Sequence, residues 1–280
     1  MLIFFIFALL LGYVFLIFPG KTSQQQIQLF TSWDYAHRGL HNQHKGIPEN
    51  SIAAIQNAVK HGYGIEFDVQ MTKDKQIVVF HDMTLKRVCH QKLWVQDCTY
   101  EQLQNYSILG TKERIPLLSE ALSAVKGKVP LLIEIKSFAF NGEVCNLLEK
   151  ELSQYEGDYC IESFNPFILS WYKKHRKEIF RGQLSSPYLW KELGYRKIWI
   201  AICVANLLSN FVSRPHFISY AYHGWYHPSF ILLKKVWKIP TFGWTFNNSK
   251  SYKKYKKRYH SVIFEGFVPA RRENESRNWL

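Results

Sequence analysis

The sequence predicts an α/β protein, a TIM-type (β/α)8 barrel with a small hairpin inserted after the second strand. Strand-like runs recur at near-regular spacing, and helical patterns lie between most of them. The 280 residues, 47% of them hydrophobic, suit one large domain with a sizeable core. No internal repeat or low-complexity tract competes with this closure.

Tyr35-Ala36-His37-Arg38-Gly39 reads as a brief strand entering a glycine turn. Asn50 or Ser51 then caps a helix whose apolar residues, from Ile52 to Val59, follow helical spacing, and His61-Gly62 stops it. The strand Gly64-Ile65-Glu66-Phe67-Asp68-Val69-Gln70 begins at once, so strand, helix and strand imply a parallel sheet. Polar residues 71–76 turn the chain into a second run, Ile77–Asp82, which makes the hairpin arm. Further strands are expected at 131–136, 159–164, 181–184, 217–222, 241–247 and 261–267, with helices near 119–126, 142–154, 166–177 and 251–258. With the strands at His37 and Glu66, these complete eight βα-like units.

Residues 1–18 carry no charged side chain, which predicts an uncleaved transmembrane anchor over 1–20. Residues 21–33 would be a tether, and 34–280 the catalytic domain. The five cysteines are scattered without metal-type spacing, which argues against a disulfide framework or a zinc site. The formal net charge is +14. Part of it sits at Lys253, Lys254, Lys256, Lys257 and Arg258 and at Arg271 and Arg272, either as a solvated helix face or as a contact for anionic headgroups. The same excess favours the cytoplasmic side of a membrane.

The polar residues at the strand ends carry the chemistry. Glu66 and Asp68 share one strand face, roughly 7 Å apart along the rise. An exposed edge strand would tolerate them. Glu134, inside the apolar run Leu131–Ile135, is harder to explain as structure, because burying a lone carboxylate is costly. A divalent ion held by Glu66, Asp68 and Glu134 would neutralise phosphate oxygens and lower the pKa of a bound oxygen nucleophile. Arg38 and Lys136 add positive charge for a phosphate. His37 and His81 supply a proton acceptor and a proton donor, in either order.

The ordered series His37-Arg38-Gly39, Pro48-Glu49-Asn50-Ser51, Glu66-Phe67-Asp68-Val69, Thr72-Lys73-Asp74, His81-Asp82, Glu134-Ile135-Lys136 and Trp244-Thr245 resembles the glycerophosphodiester phosphodiesterase family. The likeness covers roughly residues 34–268, closely in the first half and loosely in the second. It implies a TIM-type barrel, one Mg2+ or Ca2+ ion, and hydrolysis of glycerophosphodiesters to sn-glycerol 3-phosphate and an alcohol. By matching motif it implies His37 and His81 as the acid–base pair, Glu66, Asp68 and Glu134 as metal ligands, and Arg38 and Lys136 on the phosphate. Glu49 and Asn50 match a motif at the mouth in a supporting role. Trp244 is either barrel core or a wall for the glycerol or acyl end. Where the family usually has a Thr-Asp pair before a proline, this chain has Glu265-Gly266-Phe267-Val268-Pro269, which leaves the role of Glu265 open.

The function expected is thus a membrane-anchored, metal-dependent phosphoric diester hydrolase. Lysophospholipase D-like cleavage on the same scaffold is the alternative, kept alive by the anchor and by Tyr220, Tyr222, Trp225 and Tyr226. A non-catalytic lipid- or nucleic-acid-binding protein is the remote one, since such a binder has no use for three strand-end carboxylates. No nucleic-acid partner is expected.

Overall fold

In the computed structural model, residues 1–137, 142–188 and 198–270 are described. The strands are β1 (Tyr35–Ala36), β2 (Gly64–Met71), β3 (Ile77–Val79), β4 (Leu131–Ile135) and β5 (Tyr159–Ser163). They continue with β6 (Arg181–Ser185), β7 (Phe217–Ala221), β8 (Thr241–Phe246) and β9 (Ser261–Phe264). All but β3 run parallel, and β1 pairs with both β2 and β9, so the sheet closes into an eight-stranded barrel. Antiparallel β3 pairs with β2 and forms the expected hairpin.

Alternation along the strands sorts side chains between two environments. On β2, Ile65, Phe67 and Val69 are buried in the main apolar cluster with Ala58 and Leu122 of the surrounding helices. Glu66 and Asp68 therefore point into the barrel. On β4, Ile133 and Ile135 join that outer layer and Glu134 faces inward. Asp68 pairs in register with Glu134, and Glu134 with Glu162 of β5, so three carboxylates occupy one level of the barrel.

The helix between β1 and β2 (Ile52–His61) is capped as expected, by Ser51 accepting from the Ala54 N–H and by left-handed Gly62. Strand β1 is shorter than the sequence suggests, and His37 and Arg38 lie in the turn beyond it. In that turn Gly39 (φ +78°) packs so closely that an added Cβ would meet the Ala54 carbonyl carbon at 2.8 Å.

Two expectations at the amino terminus need correction. Helix α1 spans only Leu2–Ile17, 16 residues. At 1.5 Å per residue that is about 24 Å, short of the roughly 30 Å of hydrocarbon in a bilayer. It stops because Pro19 drives Phe18 out of the helical region, to φ −56°, ψ 130°. No helix among the described residues is long and apolar enough to cross a membrane. The predicted tether contains a second helix, α2 (Gln24–Thr31), which Ser23 caps by accepting from the Gln26 N–H. Phe30 of α2 stacks on Phe180 at 5.3 Å and joins Tyr35, Phe217 and Phe242 in an apolar cluster that seals the base of the barrel. Arg271 and Arg272, and the domain's expected end at 280, lie outside the described residues.

Candidate active site

The strands deliver the expected acids to one place. Single oxygens of Glu66, Asp68 and Glu134 all lie within 4.8 Å of one another, and all three residues are buried. Burial first, then the charges of Asp68 and Glu134, push the Glu66 carboxyl well above the usual carboxylate range. Burial raises Glu134 as well, against the opposing pull of Lys136. For Asp68 burial is outweighed by Lys136, His81 and Arg38, which together hold its carboxyl low.

The basic groups interleave with these acids. Lys136 Nζ is 2.7 Å from Glu134 Oε1 and 3.1 Å from Asp68 Oδ1. Arg38 (φ 57°) turns its backbone N–H onto Glu66 Oε2 at 2.8 Å, and its Nη1 donates to Glu49 Oε1 at 2.6 Å. Asn50 (φ 52°) donates from Nδ2 to Asp68 Oδ2 at 2.9 Å. Asp68 Oδ1 nevertheless receives no well-directed hydrogen bond, although it is buried. Three crowded, buried carboxylates, two of them raised in pKa, match the donor set of a hard divalent cation.

His37 follows β1, with Nδ1 2.6 Å from Glu265 Oε2 and Nε2 3.9 Å from Glu66 Oε2. Burial lowers its pKa despite the hydrogen bond it donates to Glu265. His81 follows β3, with Nδ1 2.6 Å from Asp82 Oδ1. Arg87 ties Asp82 to Glu49 by donating to both carboxylates, at 2.6–2.9 Å. Both imidazoles thus have one nitrogen occupied by a carboxylate.

His37, Arg38, Glu66 and His81 line a single cavity of about 830 Å³ at the carboxyl ends of the strands, together with Glu134, Lys136 and Trp244. Of the predicted residues, Asp68, Glu49 and Asn50 are not in its lining. Asn50 instead holds Asp68, and Glu49 holds Arg38. Trp244 packs edge-on to Phe164 at 5.7 Å and forms an apolar wall.

Four side chains escaped the sequence reading as site residues. Glu162 lines the cavity beside Glu134, and burial and then the Glu134 charge raise its pKa well above normal. Its signal was available, since Ile161-Glu162 repeats the apolar–acid pattern of Ile133-Glu134. Asp82 sits next to His81 in sequence, but nothing marks it as that ring's partner. Arg87 comes from the long connection after the hairpin, where sequence spacing predicts no convergence. His41, in the loop after β1, has Nε2 3.6 Å from Glu265 Oε2.

The profile of the glycerophosphoryl diester phosphodiesterase family matches residues 37–268 of this chain. The chain belongs to that family. Its relatives include a glycerophosphodiester phosphodiesterase of Caldanaerobacter subterraneus, 39% identical over 160 residues, covering 53% of this chain and 65% of the relative. The lysophospholipase D GDPD1 of Rattus norvegicus is 32% identical over 164 residues, covering 54% of this chain and 50% of the relative. Glycerophosphodiester phosphodiesterase 1 of Homo sapiens is 26% identical over 255 residues, covering 78% and 73%. The chain therefore spans between half and three-quarters of the length of these three family members. Among solved structures of the family, a Parabacteroides distasonis glycerophosphodiester phosphodiesterase shares the fold with a TM-score of 0.65 at 23% identity, covering 83% of this chain and 92% of that one. An Oleispira antarctica phosphodiesterase, solved with the product sn-glycerol-3-phosphate, aligns with a TM-score of 0.64, also at 23% identity and the same coverage.

Proposed function

We propose that this chain hydrolyses glycerophosphodiesters to sn-glycerol 3-phosphate and an alcohol, using one divalent cation, Mg2+ or Ca2+, held by Glu66, Asp68 and Glu134. The observation that carries this is the approach of three buried carboxylates to within 4.8 Å at a mouth also lined by His37 and His81. When bound, the ion would neutralise phosphate oxygens and make a coordinated oxygen easier to deprotonate.

The chain's own groups do the rest. Arg38, oriented by Glu49, and Lys136 bind the phosphate. His37 presents Nε2 to the mouth because Nδ1 is engaged by Glu265, and its lowered pKa keeps it neutral and ready to take the proton of the attacking oxygen, either water or the glycerol 2-hydroxyl. His81, with Nδ1 held by Asp82, returns a proton to the departing alcohol. Asn50 fixes Asp68, and Trp244 walls the organic end of the substrate. The phosphodiesterase complex with sn-glycerol-3-phosphate supports the product class.

Lysophospholipids are a second reading. The cavity mouth includes Phe164, Phe167, Trp199 and Ile200, an apolar rim that suits an acyl chain, and relatives from rat and human are lysophospholipases D. Headgroup release from glycerophosphocholine and from lysophosphatidylcholine, each with and without chelator, tests both readings. Chelator-sensitive release from the first substrate is expected, and no release from either would refute the proposal.

A further inference from the structure

We propose that the chain docks on a lipid bilayer with its catalytic mouth turned toward the lipid, α1 entering one leaflet and the Ile198–Ala205 helix lying at the headgroup level. This concerns orientation, and it stands whichever phosphodiester is cleaved.

The direction of α1 can be read from its contacts. The Pro228–Val236 helix follows β7, so its first turn lies at the mouth and its last near the base. Phe18 packs edge-on to Trp237 at 5.8 Å, beside that last turn, and Arg214 Nη1, just before β7, donates to the Phe15 and Phe18 carbonyls. Tyr13 Oη donates to Ser229 Oγ, in the first turn, at 2.8 Å. Helix α1 thus climbs the outside of the barrel toward the mouth, and Leu2–Gly12 project past it.

That projecting segment is apolar on every side. It has no charged residue, and all of it is exposed, Phe4 at 81%. A partner helix or a second copy of the chain covers one stripe, whereas lipid covers the whole circumference. Leu2–Leu11 measure about 15 Å, the depth of one hydrocarbon leaflet.

The rim continues the same surface. In the Ile198–Ala205 helix, Trp199 (76% exposed), Ile200 and Ile202 face outward. That helix is held over the mouth by Ser185 Oγ donating to the Val204 carbonyl at 2.7 Å and Tyr220 Oη donating to the Ala205 carbonyl at 2.9 Å. Exposed Tyr188 and Tyr226 share a hydrogen bond at 3.2 Å nearby. Tryptophan and tyrosine at such a rim suit the headgroup layer. The basic run Lys253–Arg258 does not contribute, because the Ser249–Tyr255 helix carries it away from the mouth toward the start of β9.

The test uses the full chain and phosphatidylcholine vesicles. Cys203 is exposed and the other four cysteines are buried, so an environment-sensitive fluorophore can be placed at Cys203. Co-sedimentation that survives high salt is expected, with a blue shift of the label and quenching by brominated lipid. F5E/L9E should lower vesicle binding about tenfold or more. I202E should reduce the label's shift, and both variants should keep wild-type turnover of glycerophosphocholine in vesicle-free solution. No co-sedimentation would overturn the proposal. So would binding with an unshifted label, or a dimer in sedimentation equilibrium that F5E/L9E dissociates.

Discussion

Glu265 Oε2 lies 2.6 Å from His37 Nδ1, so the carboxylate that follows the last strand of the barrel orients the imidazole that follows the first. Burial alone would raise the Glu265 carboxyl, but His37 and His41 hold it well below the usual range, so it remains ionised. Glu265→Ala frees the ring to rotate. A loss in kcat on the order of 10²-fold with little change in KM is expected, as for other misplaced reacting groups. A KM effect alone would place Glu265 on the substrate instead.

His37→Ala and His81→Ala should each lower kcat/KM by about 10²–10⁴-fold. Circular dichroism and urea midpoint should stay close to wild type, since both rings stand at the cavity edge and not in the apolar core. Full activity in either variant would remove that histidine from the reaction.

The proposed metal binding can be followed without turnover. With free Ca2+ or Mg2+ at about 100 times Kd, the wild type should gain roughly 2.7 kcal/mol of stability, seen as a rise in Tm. Glu134→Gln should abolish that rise, and chelator should reverse it in the wild type. A metal response that survives in Glu134→Gln would separate Glu134 from the site.

Glu49 predicts a pH dependence of stability. Burial opposes its ionisation, but Arg87 and Arg38 outweigh burial and lower the carboxyl from 4.5 to about 2. A depressed carboxyl adds stability above its unfolded pKa and loses it as pH falls through the folded value. The loss therefore falls between pH 4.5 and about 2, and amounts to something on the order of 3 kcal/mol. Urea unfolding of wild type and Glu49→Gln should differ most above about pH 5 and converge toward about pH 2.

Gly182 on β6 faces Phe217, whose ring would come within 2.0 Å of an added Cβ. That ring stacks on both Phe180 and Phe242, at 4.8 and 4.5 Å, and has little freedom to retreat. Gly182→Ala should lower stability by about 1–3 kcal/mol, measured by denaturant unfolding, with metal binding retained.

Much of the barrel was legible because its signals are local. The alternation in β2, the lone acid in β4 and the capping residues around Ile52–His61 each act over a few residues, and sequence spacing reports them directly. The amino terminus was misread for a different reason. Charge-free residues 1–18 satisfy a span by composition, but the helix length is set by Pro19, and the fate of residues 24–31 by the aromatic cluster at the base. Asp82, Arg87 and Glu265 were obscure because their roles come from contacts across the fold. The bond from Arg87 to Glu49 joins residues 38 apart, and that from His37 to Glu265 joins residues 228 apart.

The aromatic seal beneath the barrel makes the interior a blind pocket. Phe30, Phe180, Phe217 and Phe242 pack across that end, so on the proposed reaction both products would leave through the entrance the substrate used. The alcohol and the phosphomonoester would then depart in sequence, the outer fragment first.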